Sequence, residues 1–297
     1  MDEIYSMQTA LGASRAVHRR IRSSGLESFE NEVFNSLNLA LLGFGKVVLD
    51  KTFRHDDPQS FFNEMNVVLS GRGRLRFDGR ELEMVPGRVY LFPAGGSRLA
   101  HRNVALQKIY FQFRAVVNGG ELLRGSGPLS APLPAALRRE LVARHVRGGS
   151  PEILQVRADA LRCLSLFSAP LSRLIRERRE DFRRFEPFFQ YVGERLQGEF
   201  SLADFGSRHG QRAKTFAAQF KKRFGEAPKK YFLREKLNRI KEALYYSDRT
   251  LGEISETFGF SDQYYFSRFF RKLTGMSPSD YRQSLGNATG EPPAGKN

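Results

Sequence analysis

The feature that most constrains the fold is an internal repeat in the last third of the 297-residue chain. Phe216, Phe220, Lys221, Lys222, Gly225, Pro228 and Tyr231 recur fifty residues later as Phe266, Phe270, Arg271, Lys272, Gly275, Pro278 and Tyr281. Upstream, Ser201, Leu202, Asp204, Phe205 and Gly210 match Thr250, Leu251, Glu253, Ile254 and Gly259 at an offset of forty-nine. The one-residue difference falls in the turn between two helices, where an insertion costs little. Self-similarity of this kind means that one supersecondary unit is built twice.

Each copy reads as helix, tight turn, helix. In the second, Thr250 and Glu253 have the spacing of a capping box. Ile254 and Phe258 form an apolar face, and Gly259 suits the left-handed conformation that ends a helix. Ser261 is expected to cap the next helix, with Phe266, Phe269, Phe270 and Leu273 turned into the core. Its other face carries Gln263, Tyr264, Ser267 and Arg268, flanked by Arg271 and Lys272. For Tyr265, core packing is an equal alternative. In the first copy Ser201 caps a helix and Gly210 makes the turn. Residues 212–224 form the second helix, with Phe216 and Phe220 buried and Lys214, Ala217, Ala218, Lys221, Lys222 and Arg223 outward. An apolar face to fix a helix and a polar face to meet base edges is what a groove-reading helix needs. Between the copies, residues 229–246 read as one long helix with the stripe Leu233, Leu237, Ile240 and Leu244. Such a joining helix would hold two reading helices roughly 34 Å apart, one turn of duplex.

Charge agrees with this. The net charge of +16 points to a polyanionic partner, either nucleic acid or an anionic membrane surface. Residues 183–285 carry 20 Lys+Arg against 12 Asp+Glu, so half of the excess sits in about a third of the chain. No apolar run approaches the roughly 18 residues needed to span a bilayer. The first twenty residues include Asp2, Glu3, Arg15, Arg19 and Arg20 with no continuous apolar stretch, so a secretory leader is not expected and a cytoplasmic protein is. The one cysteine, Cys163, has no partner for an internal disulfide, and its neighbours Leu161, Leu164 and Leu166 suggest a core helix position.

The first half reads differently. Residues 1–30 are weakly patterned and read as an N-terminal arm that carries no packing signal and so suits disorder. From Leu37, short apolar runs alternate with glycine turns at 37–50, 66–70, 75–77, 81–84, 88–92 and 108–113. Arg74-Leu75-Arg76-Phe77 alternates as a half-buried strand does, and Asp78-Gly79 is a strong hairpin signal. The pattern suggests a small sandwich or barrel. After Val117 glycines and prolines thicken into an expected linker. Ser150-Pro151-Glu152 then opens a helix whose stripe Ile153, Val156, Ala160, Leu161, Leu164 and Phe167 buries itself on the first domain or on a second subunit.

The segment Gly259-Phe260-Ser261-Asp262-Gln263-Tyr264-Tyr265-Phe266-Ser267-Arg268-Phe269-Phe270-Arg271-Lys272, with Thr274-Gly275, Ser277-Pro278 and Tyr281-Arg282, closely resembles the DNA-binding domain of the AraC/XylS family of bacterial transcription regulators. The resemblance covers about a hundred residues. It implies seven helices with two helix-turn-helix units, each placing one helix in the major groove. The positions matching the family's base readers are Lys214, Ala217 and Ala218 in the first unit and Gln263, Tyr264, Ser267 and Arg268 in the second. Ala217 and Ala218 stand where polar readers are common and offer only methyl contacts, for instance to thymine, which leaves Arg212 and Lys214 as the polar candidates. Ser201, Lys221, Lys222, Thr250, Ser261, Arg271 and Lys272 are the candidate phosphate contacts.

The resemblance also implies a cupin-like effector-binding barrel. Leu69-Ser70-Gly71-Arg72-Gly73-Arg74-Leu75 with Asp78-Gly79-Arg80 resembles the family's barrel hairpin, and Pro86-Gly87 with Leu91-Phe92-Pro93 its next strand. Arg54, His55, Glu64, His101 and Tyr110 are candidates for holding a small effector, a sugar or an organic acid. His55 and His101 stand alone, so no metal site and no cofactor is expected. The expected architecture is α+β: an arm at 1–30, a cupin-like barrel at 31–118, a linker and helical dimerisation region at 119–182, an all-α double helix-turn-helix domain at 183–286 and a tail at 287–297. The expected partners are promoter DNA, a second copy of the chain, the effector and, as the family implies, RNA polymerase. The competing readings are a cupin-type enzyme and an architectural DNA-binding protein carrying the same module. The poverty of histidine argues against the enzyme.

Overall fold

The computed structural model describes residues 37–51, 55–57, 60–96, 98–117, 120–147 and 151–289. The expected arm, Arg54, Ser150 and most of the expected tail lie outside these residues, and His55 and His101 are described by their backbone alone.

The first half is one antiparallel sheet. Its strands are β1 (Asn38–Leu49), β2 (His55–Asp57), β3 (Asn63–Phe77), β4 (Arg80–Met84), β5 (Arg88–Phe92), β6 (Arg98–Val117), β7 (Gly120–Glu121) and β8 (Leu129–Pro132). The order is β1-β6-β3-β5-β8, with β2 and β7 also on β6 and β4 on β3, and the pairing path does not close on itself. The runs 66–70 and 75–77 belong to a single strand bent by register shifts. Asp78 and Gly79 both take positive φ, 46° and 81°, as the two-residue turn between the paired Phe77 and Arg80 demands. The glycine- and proline-rich stretch expected as a linker instead continues the sheet: β7 pairs with β6 and β8 with β5. Its strands are too short to show any periodicity.

Alternation gives the sheet two apolar faces. Met65, Val67, Val89, Leu91, Ile109, Phe111 and Phe113 share one core with the helices that follow. Val68, Tyr90, Phe92 and Leu106 belong to a second core with Leu49, Leu75, Phe77 and Met84.

The helices after the sheet are α1 (Ala135–Val142), a single π-turn (Ala143–Arg147), α2 (Ile153–Ser165) and α3 (Ser168–Arg195). Helix α2 starts after Glu152, whose side chain makes no capping bond, so Pro151 and Glu152 precede the helix they were expected to open. Its stripe divides. Val156, Ala160, Cys163, Leu164 and Phe167 are buried, whereas Ile153 and Leu161 are 58% and 50% exposed. The buried Asp159 accepts from Arg144 Nε at 2.8 Å and sits 2.9 Å from His145 Nε2, tying the π-turn to α2. Burial, and then the charge of Asp159, push the Cys163 thiol up to about 12, so it is an inert core residue. Helix α3 runs unbroken through the expected boundary at 182/183.

The repeat region contains α4 (Leu202–Arg208), α5 (Ala213–Phe224), α6 (Pro228–Tyr246), α7 (Leu251–Thr257), α8 (Gln263–Thr274) and α9 (Pro278–Thr289). With α3 these are the seven helices expected.

Candidate nucleic-acid interface

The two units have separate cores, and α6 serves both. In the first unit Phe188 of α3 lies 5.4, 5.1 and 4.7 Å from the rings of Phe205, Phe216 and Phe220. Tyr231 and Phe232, near the start of α6, are buried in the same core. In the second unit Ile254, Phe258, Phe266 and Phe270 close around Leu237, Ile240 and Leu244, the later residues of α6. One rigid helix therefore contributes to both cores and fixes the offset between α5 and α8.

Local chemistry sets each turn. Ser201 Oγ accepts from Asp204 N at 3.1 Å. Thr250 and Glu253 form the full capping box. Helix α8 is capped by Asp262, whose Oδ1 accepts from Tyr265 N at 2.7 Å. The expected cap, Ser261, points its hydroxyl at that same carboxylate. Asp262 stands directly before the first helical residue and carries a full charge, and both suit the N-terminal end of a helix. The Tyr265 N–H holds the Asp262 carboxyl below the usual aspartate range. Gly225 and Gly275 end α5 and α8 in the left-handed conformation.

Long side chains fasten the helices around α6. Lys236 of α6 donates to the Gly198 carbonyl at 2.9 Å, and its ammonium lies 4.9 Å from the Phe260 ring centroid. Arg282 of α9 donates to the carbonyls of Leu244 and Arg249, fixing the exit from α6.

With the apolar faces committed to the cores, the outer faces stand clear. On α8, Gln263, Tyr264, Arg268, Arg271 and Lys272 are exposed, Tyr264 at 73%. The Arg268 guanidinium lies 5.8 Å from the Tyr264 ring centroid. Tyr265 is 57% exposed, so core packing is not its role, although its ring edges Phe260. Leu273, expected inside, is 42% exposed because it falls past the end of the buried stripe. Ser267 is half-buried, and its hydroxyl donates to its own helix at the Gln263 carbonyl. On α5, Arg212, Lys214, Ala218, Lys221 and Lys222 are exposed and Ala217 is half-buried. Ser201, Thr250 and Ser261 are exposed at helix starts, with their hydroxyls engaged locally.

Sequence reasoning missed Arg184. It lines a cleft of about 310 Å³ with Gln211, Arg212, Thr215 and Gln219, and donates to Gln219 Oε1 at 2.7 Å. Its position on α3 follows from the docking of α3 against α5, which no local pattern reveals. Asp181 of the same helix holds Arg223. Arg223 faces outward as expected, with its guanidinium tied back to α3.

Of the effector candidates, Glu64 and Tyr110 lie on neighbouring strands of the sheet, both half-buried. Among the described residues no group of three His, Cys, Asp or Glu is placed to hold a metal. No helix among them is long and apolar enough to cross a membrane.

Comparison with known proteins follows the same division. A family model described as a helix-turn-helix domain matches residues 207–284. The chain is 30% identical over 155 residues to the MmsAB operon regulatory protein of Pseudomonas aeruginosa, covering 48% of this chain and 49% of that protein. It therefore spans about half the length of that relative. It is 25% identical over 236 residues to the arabinose operon regulatory protein of Escherichia coli, covering 73% of this chain and 79% of that one. The structure of ToxT from Vibrio cholerae superposes with a TM-score of 0.50 at 12% identity, covering 84% of this chain and 98% of that one, a likeness of fold alone.

Proposed function

The chain belongs to the AraC/XylS family of regulators, and from that premise we propose that it is a sequence-specific regulator that binds promoter DNA through both helix-turn-helix units. The observation that carries this reading is the pair of helices, α5 and α8, anchored to one joining helix with their polar faces free. Gln263, Tyr264 and Arg268 read base edges from α8. An arginine suits guanine and a glutamine suits adenine. Arg212 and Lys214 read from α5, where Ala217 and Ala218 add apolar contact. Lys221, Lys222, Arg271 and Lys272 meet phosphates, and Arg184 joins them.

The sheet, with its arm, is the effector-responsive domain, and the protein acts as a cytoplasmic homodimer without enzymatic activity. The face of α2 bearing Ile153, Leu154 and Leu161 is the proposed contact between copies. RNA polymerase is the partner through which bound protein activates or represses transcription. In the proposed division the sheet domain reaches Pro132, and α3 spans from the helical region into the reading domain.

Genomic binding-site mapping with the full chain tests this directly. A discrete set of sites sharing two half-motifs about one helical turn apart is expected. Uniform coverage without a motif would favour the architectural reading instead.

A further inference from the structure

The joining helix α6 has a second ordered face. Its apolar side, with Leu237, Ile240 and Leu244, belongs to the core of the second unit. On the opposite side Glu235, Arg239, Glu242 and Tyr246 follow at steps of four, three and four residues, one line along a helix. That line meets the sheet in three rungs. Arg124 pairs with Glu235 at 3.1 Å and Arg114 with Glu242 at 3.9 Å, and the Tyr246 hydroxyl donates to Gln112 Oε1 at 2.5 Å. Arg239 donates to Glu242 Oε2 at 3.2 Å and so braces the middle rung. Arg114 and Gln112 are two apart on β6 and therefore share a face. Four residues of helix advance about 6 Å and two of strand about 6.6 Å, so the last two rungs stay in step.

The last rung is closely fitted. Gly43 of β1 pairs with Gln112, and a Cβ there would stand 2.8 Å from Tyr246 Cε1 and 3.0 Å from Gln112 Oε1. The two units are not attached to this sheet alike. The first shares a continuous apolar core with it, since Phe205, Phe216, Phe220 and Tyr231 belong to one cluster with Phe111 and Phe113. The second has a core of its own and rides on the later turns of α6. Phe232, buried in the first core, and Tyr246 are fourteen residues apart, about 21 Å of helix. A tilt of about 10° would move the far end by about 3.5 Å, close to the rise of one base pair. The two outer rungs, at Glu242 and Tyr246, stand where they resist that tilt.

We infer that this ladder sets the half-site spacing the protein accepts. Glu242 and Tyr246, with Arg114 and Gln112 opposite them, are positioning residues: none lies on α5 or α8, and they act through α6 on where α8 meets the duplex. This deepens, and rests on, the reading that both units bind one DNA. The unit with the fuller set of polar readers is the one without a core in common with the sheet, so its register depends on the rungs. With the ladder closed, α8 is held to one spacing from α5. With it open, α6 tilts and neighbouring spacings become acceptable.

The test uses the full chain with spin labels on Ser207→Cys in α4 and Gln283→Cys in α9, one exposed position in each unit. The native Cys163 is buried and takes no label. Pulsed electron resonance should give one narrow distance between the labels. It should shift or broaden by a few ångströms in Gly43→Ala, which pushes Tyr246 off its rung, and in Glu242→Gln, which removes the charge of the middle one. Anisotropy follows on an enriched genomic site and on versions with a base pair added or removed between the half-motifs. The wild-type chain should favour the native spacing, and both variants should lose that preference by roughly fivefold or more, the low end of ordinary coupling between sites. The preference is a ratio, so a loss of folded protein does not move it. Distances unchanged in both variants overturn the positioning, and so does a changed distance with the spacing preference intact. A wild-type chain that binds no discrete site would count against the regulator reading, and the distance arm then decides by itself whether the ladder places the second unit.

Discussion

Arg124, in the segment after β7, pairs with Glu235 of the joining helix at 3.1 Å, with side chains only 22% and 10% exposed. Burial raises the Glu235 carboxyl, but Arg124, Arg234 and Arg114 together outweigh it and hold the group below its usual value. With Arg114–Glu242 at 3.9 Å and Tyr246 on Gln112, this pair fastens the reading domain to the sheet. Removing Arg124 leaves Glu235 paired with Arg234 alone, at 3.2 Å. Arg124→Ala is expected to cost about 1–3 kcal/mol. Thermal melts of a double-mutant cycle check it: Arg124→Ala with Glu235→Ala should cost clearly less than the sum of the two. Strict additivity would mean that the contact carries no coupling.

Glu121 behaves in the opposite sense. Burial pushes its carboxyl up, against the Asn63 amide and the charges of Arg114 and Arg124, which pull it down. Its folded-state value therefore lies above its unfolded one. The associated stability is complete below the ordinary glutamate range, about 4.3, and is lost as pH rises through the folded value. Glu121→Gln keeps an oxygen for Asn63 Nδ2, now 2.8 Å from Glu121 Oε1, without the charge. Its melting temperature should exceed the wild type's at pH 7 to 8 (about the range in which an ordinary carboxyl is fully ionised), with the gain shrinking as pH falls toward about 4.3. A gain independent of pH would contradict this.

The repeat made the second half legible, because local chemistry there repeats with the fold. The capping box at Thr250, the glycine stops and the stripe of α6 are all written within a few residues. Asp262 as a cap could have been found the same way, since it directly precedes Gln263. The sheet was legible where strands alternate or turns are sharp, as at Asp78-Gly79. It was not legible at β7 and β8, whose two and four residues owe their conformation to pairing with distant strands. Neither Arg184 near α5 nor Tyr246 on Gln112 has a sequence signature, because both contacts arise from how preformed elements dock. The split of the α2 stripe has the same origin: periodicity marks apolar positions, but the sheet covers only part of them.

Gly259 tests the turn of the second unit. It has φ +67°, and a Cβ there would lie 2.1 Å from the Gln197 carbonyl oxygen, whereas Gly275, with φ +83°, has nothing within 4 Å. Both substitutions to alanine carry backbone strain of about 1 kcal/mol, but only Gly259→Ala also meets a fixed backbone atom. Denaturant titration should rank Gly259→Ala as the more destabilising by a clear margin. Equal losses would show that the contact between the turn and the end of α3 is loose.

The exposed cations of α5 and α8 set the salt dependence. Each phosphate contact removed, by Lys222→Ala or Lys272→Ala, should flatten the slope of log K against log salt by about 0.9. Affinity should fall alike for matched and unmatched duplexes. A change in sequence preference with an unchanged slope would reassign these residues to base reading.

Engagement of one duplex by both units is decided by fluorescence anisotropy on a genomic site enriched by the full chain. Lys214→Ala and Arg268→Ala, one from each reading helix and both exposed, are titrated singly and together. Each variant is expected to lose affinity, about 1–3 kcal/mol for Arg268→Ala, with a combined loss near the sum and affinity falling steeply with salt. Affinity that stays at the wild-type level in the double variant, or that is flat in salt, would contradict it.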